Sequence, residues 1–275
     1  MSKKFSVLMS VYRNDDPEYL KVALDSVYCN QTRKPDEIVV VFDGPLTDGL
    51  YLVLESFKKG RESIVKYYPQ EVNRGLGEAL RIGSMACSGD YILRMDSDDI
   101  SDSERFAKQI AYMEAHPDVD ALGGNIAEFN EDPFTGKTRL RVCPCSHKDI
   151  VKMAKKRNPM NHVTACIKKS ALLQSGGYQS LLLLEDYLLW LNMIVAGCKL
   201  ANINETLVYV RVGNGFDSKR GAKERIVGWS KLQEIMLGLK LINRFQAWRN
   251  MVYIRLFVNT PAWLKRRIYS NFLRK

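Results

Sequence analysis

The chain has 275 residues, of which 46% are hydrophobic and 26% charged, and this composition excludes disordered, collagen-like and coiled-coil proteins. The length predicts one large domain, or one domain with an extension. The net charge is +10, and the excess lies after residue 218, where 14 residues are basic and two are acidic; a near-neutral body with a basic tail predicts an appendage that contacts an anionic surface.

Short apolar runs alternate with helical patterns through the first 125 residues. The predicted strands are residues 5–11, 37–42, 64–68, 91–95 and 120–122, and the helical patterns between them cover 17–27, 46–58, 76–86 and 103–115. This β-α-β order predicts a doubly wound, mostly parallel sheet. Ligands of such sheets bind beyond the carboxyl ends of the strands, near the point where the strand order reverses.

The fourth predicted strand ends in three carboxylates within four residues, Asp96, Asp98 and Asp99. Asp96 and Asp98 lie on the same side if the strand continues through them. Two converging carboxylates repel unless a cation lies between them, and oxygen ligands suit Mg²⁺ or Mn²⁺ that holds a diphosphate. The alternative is that Asp98 or Asp99 caps the helix that follows.

Other phosphate-binding motifs are absent from the sequence. There is no GxxxxGK[ST] segment, and no GxGxxG follows the first predicted strand. The chain is therefore neither a P-loop protein nor a typical dinucleotide-binding protein.

A second acidic pair, Glu185 and Asp186, lies inside a very apolar stretch. Buried carboxylates are costly without a purpose, and a hydrophobic setting raises a carboxyl pKa toward the range that suits a general base. The alternative is a helix start that favours acidic residues.

Two other residues are each open to two interpretations. His162 has either a structural role or an active-site role. Arg211 either binds phosphate or is simply solvated.

The last 60 residues combine basic and aromatic side chains, among them Trp229, Trp248 and Trp263. Such helices suit an anionic lipid interface, and packing on the rest of the chain or on a second subunit as a homodimer is the alternative. Nucleic acid is not expected as a partner, because the acidic cluster has no role there. Six cysteines without a CxxC pair and a start without a signal peptide predict a cytoplasmic protein.

Seven segments resemble, in order and spacing, the large inverting family 2 of nucleotide-sugar glycosyltransferases, which have the GT-A fold. The likeness covers about residues 4–215, and its type is that of bacterial exopolysaccharide, capsule and O-antigen synthesis. The segments are FSVLMSVYRND, EIVVVFDGP, NRGLGEALRIG, GDYILRMDSDD, NHVTACIKKSALLQSGGY, EDYLLW and VYVRVGNG.

The resemblance implies a role for each matching residue. Those implied at the donor are Ser10, Val11 and Tyr12 around the nucleobase, Asp43 accepting from the base, Asn73 and Gly75 along the nucleoside, Asp96 at the ribose or sugar, and Arg81 and Arg211 at the diphosphate or sugar. Asp98 would hold the divalent metal, with Asp99 as its substitute, and Asp186 would be the general base. Those implied on the acceptor side are His162, Glu185 and Trp190. Arg81 departs from the family pattern, in which another polar residue is common.

The resemblance predicts a GT-A catalytic domain over residues 1–215, with a nucleotide-binding half (1–125) and an acceptor half (126–215), and a helical extension over 216–275. The expected reaction moves a hexose from a UDP-sugar to a saccharide acceptor, expected to be linked to a lipid diphosphate, with inversion and with Mn²⁺ or Mg²⁺. The protein is expected at the cytoplasmic face of the inner membrane.

Two other readings remain at this point. A sugar nucleotidyltransferase would carry a glycine-rich, basic loop after the first strand, where this chain has Tyr12-Arg13-Asn14. A non-enzymatic membrane-associated module would use the tail and leave the carboxylates unexplained.

Overall fold

The structure of the protein, a computed structural model, describes residues 3–212 and 222–260. Residues 213–221 and 261–275 lie outside it, and with them the Gly213-Asn214-Gly215 end of the last motif and Trp263. The described strands are β1 (Phe5–Val11), β2 (Glu37–Phe42), β3 (Val65–Pro69), β4 (Tyr91–Met95), β5 (Ile100–Ser101), β6 (Ala121–Phe129), β7 (Arg139–Arg141), β8 (Cys166–Lys168) and β9 (Leu200–Arg211). The helices are α1 (Pro17–Val27), α2 (Asp48–Lys58), α3 (Leu76–Ala86), α4 (Arg105–Ala115), α5 (His147–Ala154), α6 (Lys169–Gln174), α7 (Glu185–Val195), α8 (Ala222–Gly238) and α9 (Arg244–Asn259).

All nine described strands form one sheet in the order β3-β2-β1-β4-β8-β6-β9-β5, with β7 paired to β6. β1 to β4 run parallel, β8 is antiparallel to both its neighbours, and β6 and β9 are parallel. The predicted doubly wound, mostly parallel sheet is therefore confirmed. The order reverses at β1, because β2 lies on one side of it and β4 on the other, and a ligand crevice is expected beyond these carboxyl ends.

The central strands are apolar on both faces because helices cover both faces. Val7 and Met9 of β1 pack into a core cluster with residues of α1, α2 and α4. Leu8, between them, points the other way into a cluster with residues of α3, α6 and α7. This two-sided burial explains why the strands appear in the sequence as unbroken hydrophobic runs.

Two strands differ from the sequence prediction. β6 continues to Phe129 rather than stopping at Leu122, because β9 pairs with it from Ala121 to Phe129. β5 was not predicted, and it has only two residues, of which Ile100 pairs with Tyr209 of β9. This pairing fixes the segment that directly follows the carboxylates of the fourth strand.

The C-terminal helices α8 and α9 pack on α7 through their inner faces. Leu232, Met236 and Ile242 join a core cluster with Leu188 and Leu191, and Asn243 and Gln246 form a capping box at the start of α9. The outer face of α9 carries exposed apolar side chains, which are Phe245, Trp248, Tyr253 and Leu256. No helix in the described ranges is long and apolar enough to span a membrane.

Candidate functional site

The carboxyl ends of β1 and β4 are joined by hydrogen bonds to Asp15. Its Oδ2 accepts from the Ser97 hydroxyl at 2.7 Å and from the Tyr12 backbone N–H at 3.0 Å. Burial raises the pKa of Asp15 to about 7, and the charges of Asp98 and Asp96 add to this rise while the hydrogen bonds oppose it. Asp15 therefore belongs to the carboxylate cluster, although the sequence did not single it out.

Asp43 follows β2, and it contacts the predicted nucleoside residues, which lie in the loop between β3 and α3. The buried carboxylate accepts from the backbone N–H groups of Arg74 at 2.7 Å and Gly75 at 3.0 Å. The side-chain amide of Asn73 donates to the Asp43 carbonyl at 3.2 Å. Asp43 thus holds the loop that leads into α3.

The three predicted nucleobase residues differ in what they expose. The side chain of Val11 is fully buried in the core, so that its backbone alone is available to line a pocket. Ser10 is partly buried, and 40% of Tyr12 is exposed. Tyr12 is therefore the side chain of this segment that offers a flat aromatic surface.

Asp96 forms an ion pair with Arg94, two residues earlier on β4. The Arg94 side chain is only 4% exposed, and its Nε has no hydrogen-bond partner in the described part of the chain. A buried guanidinium with a free donor is unusual, because buried polar groups are normally satisfied. Arg94 therefore provides a fixed positive charge with unused hydrogen-bonding capacity beside the predicted sugar-binding aspartate.

Asp98 and Asp99 have different environments. Asp98 is exposed, whereas Asp99 is 3% exposed and its Oδ1 accepts the backbone N–H of Arg211 at 2.9 Å. Desolvation, followed by the charge of Asp96, raises the pKa of Asp98 to about 6 and the pKa of Asp99 well above its ordinary value. Asp99 thus anchors the carboxylate segment to the end of β9, and Asp98 faces outward.

The carboxylate cluster fits a divalent cation that is shared with a diphosphate. The charge of Asp96 disfavours the ionisation of both Asp15 and Asp98, and a cation beside them would relieve this repulsion. Within residues 3–212 and 222–260, no three His, Cys, Asp or Glu side chains are arranged to hold a metal ion by themselves. Mg²⁺ is commonly held by one or two carboxylates together with substrate phosphates, and Asp98 is the exposed carboxylate for that arrangement.

Asp186 lies in the first turn of α7 and is held by Asn158. The Asn158 amide donates to Asp186 Oδ2 at 2.5 Å. Burial raises the pKa of Asp186, and the hydrogen bonds from Tyr187 N–H and Asn158, with the charges of Arg141 and Arg94, oppose the rise. A partly desolvated carboxylate that is fixed by one amide has the properties of a general base.

The start of α3 lies directly against the start of α7. A Cβ added at Gly77 would lie 2.8 Å from Cγ of Glu185, which is closer than real Cβ atoms come. Glycine at this position therefore allows the loop of residues 73–75, which leads into α3, to approach Glu185 and Asp186. The contact brings the first and second halves of the chain together at the site.

His162 and Tyr178 form a neutral pair near Arg94. His162 Nε2 and the Tyr178 hydroxyl are 2.9 Å apart. Burial lowers the pKa of His162 well below its ordinary value, and the charge of Arg94 lowers it further. His162 is thus an uncharged imidazole at neutral pH. The Trp190 ring packs against the His162 ring in an edge-to-face arrangement, with ring centroids 6.1 Å apart.

One predicted contact needs correction. Trp190 is 0% exposed, so its ring has no surface for an acceptor, and its place is in the core under His162. Arg81 forms two hydrogen bonds of 2.8 Å with Glu78 of its own helix, and its contact with the donor stays a prediction. A helical i,i+3 ion pair explains its position without a substrate.

Arg211 lies next to the carboxylate segment but is packed between aromatic rings. Its guanidinium carbon is 3.9 Å from the ring centre of Tyr19 and 4.7 Å from that of Phe129. Its Nε donates to the Asp98 carbonyl at 3.4 Å. Arg211 therefore supports the backbone of Asp98 and keeps a positive charge beside it.

The comparisons with known proteins agree on one family. The model of the family described as "Glycosyl transferase family 2" matches residues 6–176. The chain is 39% identical over 236 residues to the amylovoran biosynthesis glycosyltransferase AmsE of Erwinia amylovora, covering 86% of each protein.

A second relative is similar over almost its whole length. It is the UDP-Gal:alpha-D-GlcNAc-diphosphoundecaprenol beta-1,3-galactosyltransferase of Escherichia coli, with 34% identity over 273 residues, 99% of this chain and 97% of the relative. Among solved structures, TarS 1–349 of S. aureus in complex with UDP-GlcNAc has a TM-score of 0.67 and 19% identity, over 98% of this chain and 76% of the other. At 19% identity the similarity to TarS establishes the fold alone. This fold is the one predicted for the chain.

Proposed function

The chain belongs to glycosyl transferase family 2, and from that premise we propose that it transfers a hexose from a UDP-sugar to a saccharide on a lipid diphosphate, with inversion. The family and the relatives make it a glycosyltransferase of bacterial polysaccharide synthesis. The donor and acceptor classes are those in the name of the E. coli relative, which the chain matches over 97% of its length.

The observation that supports this proposal is that the charge of Arg94 acts on both predicted acidic groups. Arg94 pairs with Asp96 of the carboxylate cluster, and its charge also acts on Asp186 at the start of α7. Arg94 is therefore a buried cation that pairs with Asp96 on the donor side and whose charge also reaches the half-buried Asp186 of α7. A transferase has to bring its donor-side and acceptor-side groups close together, because the leaving diphosphate and the attacking hydroxyl meet at one carbon.

In the proposed reaction, the acceptor hydroxyl oxygen attacks the anomeric carbon of the donor sugar. The bond between that carbon and the diphosphate oxygen breaks, and its electron pair leaves with UDP. Asp186 takes the hydroxyl proton, and Asn158 holds the carboxylate in place through its amide. A single displacement inverts the anomeric centre, so that an α-linked donor gives a β-linked product.

A divalent cation at Asp98, when bound, would neutralise charge on the diphosphate. The residues of this chain do the remaining positioning. Asp43 holds the Arg74-Gly75 loop, and Asp99 with Arg211 fixes the backbone that presents Asp98.

The test is an incubation with UDP-sugars, Mn²⁺ and saccharide acceptors with and without a lipid diphosphate. We expect transfer and release of UDP. Release of pyrophosphate would instead indicate a nucleotidyltransferase, a reading that the family match already argues against. Absence of transfer with every UDP-sugar, while another nucleotide-sugar is used, would overturn the donor class.

The pH dependence of transfer is expected to report on Asp186. Because the pKa of this carboxyl is raised, activity should fall on acidification at a higher pH than an ordinary aspartate would require. Asn158→Ala removes a hydrogen bond that favours the ionised form, so that the acid limb of the kcat profile should move to higher pH. An acid limb that stays in place, in a variant with unchanged Tm, would contradict the assignment of Asp186 as base.

We also propose that the outer face of α9 contacts an anionic membrane surface. Phe245 and Trp248 are 66% and 62% exposed and stack on each other with ring centroids 5.8 Å apart. Arg244 and Arg255 lie on the same helix. Exposed aromatic rings beside basic residues suit a lipid interface.

Phe245→Ser with Trp248→Ser is expected to weaken binding to vesicles that contain anionic lipid, measured by sedimentation at low salt. Removing the whole extension would be a poor test, because Leu232 and Met236 are part of the core. Leu52→Ser, at a 72% exposed position on α2, is the matched control. Equal binding of the double variant and the control would rule out this membrane contact.

A further inference from the structure

A cavity lies between the chain after α5 and the helix α9. Its volume is about 140 Å³, and it is lined by Lys156, Arg249, Asn250, Tyr253 and Ile254. None of these residues was singled out from the sequence, and none belongs to the donor site described above.

The lining of this cavity is positively charged. In the described part of the chain, no carboxylate lies within 4 Å of the charged nitrogens of Lys156 or Arg249. Lys155 and Arg157 adjoin Lys156 in the chain, so that the cavity wall carries three consecutive basic residues, of which Lys156 lines the cavity. Cations that converge on a cavity without acidic partners are suited to an anionic ligand.

The cavity is held together by a buried amide. Asn250 is 4% exposed, and its Nδ2 donates to the Lys155 carbonyl and to Gln233 Oε1, both at 2.9 Å. Arg249 Nη2 donates to Asn250 Oδ1 at 3.2 Å. The two walls and one of the two cations are therefore fixed in place before a ligand binds, which lowers the entropic cost of binding.

The cavity is also close to the proposed base. Lys156 precedes Asn158 by two residues, and Asn158 holds Asp186. Two residues of chain span about 7 Å at most, so that the backbone of the cavity wall is within the length of a short saccharide from the base. On the other side, Tyr253 links the cavity to the exposed apolar face of α9.

We propose that this cavity binds the diphosphate of the lipid-linked acceptor, with Lys156 and Arg249 as its cationic ligands. The saccharide then extends toward Asp186, and the lipid leaves over the outer face of α9. This inference rests on the proposed function, because it assigns the site that recognises the acceptor of that reaction. A phospholipid headgroup carries similar phosphate chemistry, and the experiment separates it from the acceptor.

The test uses the full chain and two acceptors that carry the same sugar, a short-chain prenyl-diphosphate-linked N-acetylglucosamine and the uncharged alkyl glycoside. Lys156→Gln and Lys156→Gln with Arg249→Gln are compared with the unchanged protein. Lys21→Gln with Lys59→Gln, at two exposed positions of the catalytic domain, is the control with the same change in charge. Calorimetry gives the affinity for the diphosphate acceptor even without turnover.

We expect the double variant to bind the diphosphate acceptor about tenfold more weakly or worse, and its KM for that acceptor to rise similarly. The KM for the UDP-sugar and for the alkyl glycoside should stay unchanged. The single variant should show a smaller effect in the same direction, and it guards against a folding defect from losing the contact between Arg249 and Asn250.

Three results would overturn this inference. Equal effects on both acceptors would mean that the two cations do not recognise the diphosphate. Unchanged affinity together with weaker binding to anionic vesicles would assign the cavity to phospholipid headgroups. Unchanged affinity and unchanged vesicle binding would leave it without an anionic ligand. Failure of the proposed function would look different, because the unchanged protein would then transfer no sugar to either acceptor.

Discussion

Asp186→Asn is expected to lower kcat by roughly 100- to 10,000-fold, the usual contribution of a general base. Asparagine keeps the size of the side chain and can still bond to Asn158, but it cannot accept the proton of the acceptor hydroxyl. Binding of UDP with Mn²⁺ should be retained, because Asp186 acts on the acceptor. A transfer assay and calorimetry with UDP measure the two effects separately.

The stability of the same variant provides an independent check. The pKa of Asp186 is raised in the folded state, so that its contribution to stability is present below the unfolded pKa and is lost as the pH rises through the folded pKa. Wherever the carboxyl is ionised its burial lowers stability, and Asp186→Asn should leave Tm unchanged or raise it. Asp118→Asn, at an exposed ion pair with Lys199, is the control. Loss of UDP binding in a folded Asp186→Asn protein would contradict the role of base.

The first half of the fold could be predicted from local sequence because its signals are local. Strands β1, β2 and β4 were predicted with their observed bounds, since residues buried on both faces of a parallel sheet give continuous apolar runs. β5 could not be predicted, because two residues carry no periodicity and it pairs with a strand about 100 residues later. The length of β6 likewise could not be predicted, because it depends on pairing with β9, which is a tertiary contact.

The candidate site likewise contains residues that could be predicted from the sequence and residues that could not. Asp43, Asp98 and Asp186 could be selected because carboxylates at the ends of apolar runs, or inside one, stand out. Asn158 could not, because its role depends on a contact across 28 residues of chain. Asp15 could not be selected either, because its contact with Ser97 bridges 82 residues.

Arg94 is the residue for which the sequence did contain a usable signal. It is the one charged residue in the otherwise apolar segment YILRM, and the structure buries it. A charged side chain in a buried strand requires a partner, and Asp96, at period two, lies on the same side of the strand. The pair was therefore predictable, but its influence on Asp186 depends on how α7 packs.

Asp98→Ala and Asp99→Ala are expected to fail in different ways. Asp98 is exposed and is the proposed metal ligand, so that Asp98→Ala should abolish Mn²⁺-dependent UDP binding and transfer together, with Tm unchanged. Asp99 is buried and accepts the backbone N–H of Arg211. Its removal leaves that N–H without a partner, at a cost of about 1–3 kcal/mol, and Asp99→Ala should lower Tm while part of the UDP affinity remains.

The difference follows from the peptide segment that carries both residues. Asp99 and Arg211 fix its backbone against β9. The neighbouring carboxylate, Asp98, can therefore face the donor. Calorimetry of UDP with and without Mn²⁺, together with thermal unfolding of both variants, measures each effect. If Asp98→Ala retains metal-dependent binding while a folded Asp99→Ala loses it, the metal ligand is Asp99. The backbone of this segment would then have to turn on donor binding, and the contact with Arg211 would be one of the bonds that break.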